Sequence, residues 1–137
     1  MIVESIITII LAVLAIALSF LSIDIIAIAG IYTALSYGVL YGVFLVVASK
    51  LISGGLRKKI DHRTLIHIIG VIIVISIGSL LPFSYLWWYP MALFLCYIMI
   101  TFPVIQYMGG DFFKGMLYNA KDILTAIIFL WLIGRIF

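Results

Sequence analysis

TLIHIIGVIIVISIGSLLPFSYLWWYPMALFLCYIMITFPVIQYMGG, residues 64–110, contains no Asp, Glu, Lys or Arg. A helix of about 20 apolar residues crosses the hydrocarbon core of a bilayer, so this run is long enough for two passes and the turn between them. The turn is marked inside it. Pro82 and Pro90 bracket Phe83, Tyr85, Trp87, Trp88 and Tyr89, and Trp and Tyr concentrate at the membrane–water interface. Three further runs lack charge: Ser5 to Ile23, Ile25 to Ser49 and Ile123 to Gly134. The chain of 137 residues is 67% hydrophobic and 9% charged, with a mean hydropathy of +1.42. Soluble domains carry about 25% charged residues. The sequence therefore predicts an all-α, polytopic transmembrane bundle forming a single domain of an integral, multi-pass membrane protein.

Five spans are predicted, over about 2–22, 27–52, 64–81, 91–108 and 119–136. The acidic n-region around Glu4 and the length of the first apolar run favour an uncleaved first helix over a signal peptide. The break between the first two spans falls at Asp24 or at Gly30. Gly54 and Gly55 suit a helix end needing positive φ, and Asp61 is placed to cap the next helix. Pro103 predicts a kink in the fourth span, and residues 109–122 read as a polar loop. With a cytoplasmic N-terminus, Lys50, Arg57, Lys58, Lys59, Arg63, Lys114 and Lys121 all fall inside, leaving only Arg135 outside. The alternative is four spans, with the first two fused and the N-terminus outside.

Net charge is +3. The cations cluster beside membrane segments, which points to topology and anionic lipid rather than to nucleic acid. The patch of Arg57, Lys58, Lys59 and Arg63 is a topogenic loop or a docking surface for lipid or an acidic partner. Ala34, Gly38 and Gly42 recur every fourth residue, the spacing that lets helix backbones approach closely. Tyr37 and Tyr41 run beside them, so the face serves helix packing or a lipid or quinone groove. Asp24 is read as a hydrated acid at the outer interface, with an intramembrane proton or cation site as the alternative. Thr101 and Gln106, flanking Pro103, are the best candidates for a polar cavity, ahead of Ser36, Tyr37, Tyr41, Ser76 and Ser79.

No catalytic, metal or cofactor set is expected. His62 and His67 stand five apart, whereas helical ligand pairs prefer three or four. Cys96 is a lone thiol on an apolar helix. Phosphate-cradling, zinc-protease and nucleophile-elbow motifs are missing.

Residues about 38 to 108 resemble the membrane region of the Yip1 family. The resemblance rests on an apolar helix ending in Ser49-Lys50-Leu51-Ile52-Ser53-Gly54-Gly55, a basic stretch, then an apolar helix closing on Pro82 and another span. It implies a non-catalytic membrane protein acting through partners or bilayer shape. A nearly loop-free chain, the small-residue ladder and the lack of a catalytic set make the first functional expectation a small non-enzymatic subunit or scaffold of a larger membrane assembly, with lipids, other subunits or further copies of itself as partners. The alternatives are a small transporter or substrate-binding membrane component, and a lipid- or quinone-handling subunit.

Overall fold

The computed structural model describes residues 2–20, 24–56, 62–81, 88–109 and 111–136. They form six α-helices: α1 (Ile2–Phe20), α2 (Ile26–Tyr37), α3 (Val39–Leu56), α4 (His62–Leu80), α5 (Tyr89–Tyr107) and α6 (Phe112–Ile136). All except α2 are long and apolar enough to cross a membrane. Large apolar side chains such as Ile9, Val13, Phe44, Ile77, Met99 and Ile127 point outward, as they do where lipid rather than water is the solvent.

The second expected span, 27–52, is two helices. Gly38 breaks it with φ 129 and ψ 153, a conformation open essentially only to glycine. The chain reverses there, and α2 packs back along α3. A Cβ on Gly42 would stand 2.5 Å from Ala34 Cβ and 2.6 Å from the Gly30 carbonyl oxygen. The Ala34–Gly38–Gly42 ladder thus works inside one antiparallel hairpin: Ala34 and Gly42 face each other while Gly38 makes the bend.

Helix α2 is the interior element. Every residue from Ile26 to Ile31 is buried, as are Thr33 and Ala34, the pattern of a helix that is apolar all round. It touches α1, α3, α4 and α5. Around it, α1 packs on α3, α3 on α4, α4 on α5, and α5 on α6. Tyr89 donates its hydroxyl hydrogen bond to the Gly78 carbonyl at 2.7 Å, closing the α4–α5 hairpin at the end away from α3's C-terminus.

The hydroxyls of Ser19 and Ser53 lie 2.8 Å apart. Each sits in the last part of its helix, and both helices bury a face along their length, so α1 and α3 run parallel. The extra pass made by α2 has a topological consequence. Ile2, Gly38 and Leu80 lie at one end of the bundle; Asp24, Leu56, His62 and Asp111 lie at the other. The start of α1 is therefore at the opposite end from Lys50, Arg63, Lys114 and Lys121, and the expectation that placed the N-terminus on the same side as these cations does not hold.

Other boundaries move for local reasons. Gly54 is a buried interior residue of α3, and the positive-φ glycines among the described residues are Gly38 and Gly109. The fifth span begins at Phe112, not near 119. Asp111 caps it by accepting from the N–H groups of Phe113 and Lys114 at 3.0 and 3.2 Å, the role an Asx residue plays at a helix start. Pro103 lies inside α5. Arg57, Lys58, Lys59 and Asp61, and residues 82–87 of the aromatic turn, fall outside the described residues.

Replacing Gly38 by Ala forces a Cβ into that backbone conformation, at a cost of about 1–3 kcal/mol. The expected outcome is a lower unfolding midpoint for Gly38→Ala in detergent, followed by tryptophan emission. Gly42→Val, which drives a side chain into the Gly30 carbonyl, should lower it further.

Candidate functional site

At 1.5 Å per residue the 12 residues of α2 span about 18 Å, against a hydrocarbon core of about 30 Å. The helix starts its count at Gly38, so the missing length falls at the basic end. The five longer helices continue past it and enclose a cavity of about 720 Å³. The cavity is where α2 would have continued.

Its floor is the start of α2. Asp24 Oδ1 accepts from the Ile26 N–H at 3.0 Å, and Lys50 Nζ donates to Asp24 Oδ2 at 3.2 Å. Lys50 stands six residues before the end of α3 at Leu56, a recess of about 9 Å along the helix. The sequence places Asp24 at the outer interface, across the membrane from Lys50; the structure pairs the two at one end. The Asp24 side chain is 39% exposed and that of Lys50 15%, so the pair faces the cavity. Burial acts to raise the Asp24 carboxyl pKa. The Lys50 charge, the Ile26 N–H and the His67 charge outweigh it and hold the carboxyl below the ordinary carboxylate range.

The walls come from every other helix. Ser19 and Ser53 supply hydroxyls from α1 and α3. Helix α4 contributes Arg63, Thr64 and His67; His67 Nδ1 shares a hydrogen bond with the Tyr97 hydroxyl of α5. Helix α5 contributes Thr101 and Gln106 with Phe102 and Ile105 between them. The Thr101 hydroxyl donates to the Tyr97 carbonyl at 2.9 Å, and Gln106 Nε2 donates to the Asp111 carbonyl at 3.3 Å. Helix α6 contributes Lys114, Asn119, Lys121 and Asp122. Gly115 lets α6 lie against α5, since a Cβ there would stand 2.7 Å from both Gln106 Nε2 and Phe102 Cε2. Lys50, Arg63, Lys114 and Lys121 thus surround the cavity, against the carboxylates Asp24, Asp111 and Asp122.

Of the residues singled out from sequence, the structure gathers Asp24, Arg63, Thr101 and Gln106 into this one cavity. Ala34, Gly38 and Gly42 belong to the α2–α3 hairpin. Ser36, Tyr37, Tyr41, Ser76 and Ser79 lie away from the cavity, with Ser36, Ser76 and Ser79 facing outward. Lys50, His67, Lys114, Lys121 and Asp122 were not expected to line it. A signal for α6 was present: Asp111, Lys114, Tyr118, Asn119 and Asp122 recur at helical spacing, marking one polar stripe in a stretch taken for a loop. Among the described residues no three His, Cys, Asp or Glu side chains stand together as metal ligands. No family model matches this chain, and no curated protein or solved structure does either.

Removing one partner of the recessed pair leaves the other unmatched, and Asp24→Asn is expected to cost about 1–3 kcal/mol at pH 7. Adding Lys50→Met should restore part of it in a double-mutant cycle of unfolding midpoints. The pH dependence has a definite sign. An unfolded Asp titrates near pH 3.9, and the folded value is lower, so the carboxylate's contribution is full above about pH 4 and fades as pH falls further. The difference in midpoint between wild type and Asp24→Asn should hold from pH 7 to about pH 4 and close below it.

Proposed function

We propose that this protein is a substrate-binding membrane component, whose one-ended cavity takes up an anionic polar group from the basic side of the bilayer. The observation that carries the reading is the set of Lys50, Arg63, Lys114 and Lys121 lining a cavity of about 720 Å³ at the end of the short interior helix. Ionisable residues at that depth are costly and line pathways or binding sites where they occur. Four cations against three carboxylates bias the cavity toward anions. Asp24 is already engaged by Lys50 and the Ile26 N–H, and Asp111 by the start of α6.

The scaffold expectation draws less support. It rests on a nearly loop-free chain, the lack of a catalytic motif and the small-residue ladder, and the ladder residues are used within a single protomer, between α2 and α3. The exposed apolar faces serve lipid and partner subunits equally. If the basic end faces the cytoplasm, as the positive-inside rule favours, both the Ile2 and Ile136 ends lie on the far side, in place of the cytoplasmic N-terminus.

Thermal unfolding in detergent tests the anion reading. Inorganic phosphate and citrate should raise the midpoint of wild type more than that of the Lys114→Gln, Lys121→Gln double variant, while choline and glucose should not distinguish the two. Saturation at 100 times Kd is worth about 2.7 kcal/mol. Identical shifts in both proteins would overturn the reading. Access is checked separately in a Cys96→Ala background. A membrane-impermeant maleimide should label Asn119→Cys and Gln106→Cys from the basic side and leave the outward-facing Met99→Cys unlabelled.

A further inference from the structure

The helices around α2 do not close a ring. Among the described residues, contacts run α1 to α3, α3 to α4, α4 to α5 and α5 to α6, with no comparable contact between α6 and α1. Beyond α5, α6 is held to the interior by an edge-to-face pair of Phe129 with Tyr32, ring centroids 6.3 Å apart. That anchor lies on the half of α6 far from the cavity. At the cavity's level, Ser19 and Asp24 form one border, and Tyr118, Lys121 and Asp122 the other. The cavity is therefore lined from both α1 and α6 across a gap that no helix–helix packing among the described residues closes.

We propose that the cavity's occupant is an anionic phosphate headgroup of a lipid, entering sideways through the α1–α6 seam with its acyl chains remaining in the bilayer. This rests on the anion-binding reading above and names the ligand class for the same site. Three observations combine. The charged floor at Asp24–Lys50 lies about 9 Å below the end of α3, near the level a headgroup reaches when its chains stay in the hydrocarbon. Away from the cavity, α1 and α6 carry outward-facing apolar residues, Val13 and Leu14 on α1 and Leu124 on α6. The cations point to phosphate because the anionic lipids of membranes carry it, and basic pockets between transmembrane helices are the sites that hold such headgroups. A free phosphate ester shares the headgroup chemistry but makes no use of the seam.

Native mass spectrometry of the full chain in mild detergent separates these. With dioleoyl phosphatidic acid and dioleoyl phosphatidylcholine offered at equal ratio, the acid should be retained about tenfold more, as expected where several cations face an anionic phosphate. Lys114→Gln with Lys121→Gln, both on the helix surface, should bring it to the phosphatidylcholine level. Phosphatidic acid bearing a diazirine in its acyl chain should crosslink to α1 near Val13–Phe20 and to α6 near Tyr118–Leu124, and not to the outward face of α4 at Ile69, Ile73 and Ile77. Equal retention of the two lipids, or crosslinks spread evenly over all outer faces, would overturn the proposal. If glycerol 3-phosphate stabilises wild type but not the double variant while phosphatidic acid is not selected, the site takes a soluble phosphate ester: the lipid proposal falls and the anion-binding reading stands. If neither phosphate distinguishes wild type from the variant, both fall.

Discussion

The close approach of α2 to α3 governs the rest of the molecule. With Gly30 and Gly42 lacking side chains at the contact, the two backbones come near enough for α2 to sit in the interior against α1, α3, α4 and α5. Gly38 then fixes where the pair begins. Because α2 is measured from that bend and is short, its start falls below the level where its neighbours end. A backbone N–H at a helix start cannot be left bare at membrane depth, and Asp24 accepts from Ile26 there. The carboxylate in turn needs a cation, which Lys50 supplies. Turn, truncation, cap, ion pair and cavity are thus successive consequences of one glycine contact.

The two sides of the bundle are built differently. On the α3–α4–α5 side, small residues allow tight packing. A Cβ on Gly70 would stand 2.5 Å from Thr101, and one on Gly78 2.6 Å from Leu93. Interhelical hydrogen bonds from Tyr89 and Tyr97 reinforce the same side. Helix α6 lacks such seams along most of its length. In lipid, helix association depends on packing and polar contacts because burial away from water contributes nothing extra. The protein therefore has a rigid wall and a lightly attached one, with the charged cavity between them.

Much of this was legible in the residues and some was not. Helices α1, α4 and α5 follow from charge-free runs of adequate length. Thr101 and Gln106 stood out because polar residues beside a helical proline are unusual in a span. Gly38 was ambiguous in principle. A small residue every fourth position is equally the pattern of one continuous packing helix, and only tertiary placement decides that the middle glycine bends. That misreading displaced Asp24, since dropping a pass moves it to the wrong side of the membrane and away from Lys50. The polar stripe of α6 was readable, because Asp111, Lys114, Asn119 and Asp122 keep helical period, but four charges within a short stretch resemble a solvated loop unless that period is checked.

Pro103 gives α5 a mechanical character. It has no N–H to offer the Met99 carbonyl, so one rung of the helix ladder is missing where Thr101, Phe102, Ile105 and Gln106 meet the cavity. Bending stiffness falls at that level. Below it, Tyr97 and Tyr89 tie α5 to α4; at it, Phe102 meets Phe112 of α6; above it, Gln106 donates to the Asp111 carbonyl at the start of α6. The end of α5 and the adjoining start of α6 are thus tied to each other beside Pro103, opposite the glycine-packed wall of the chamber.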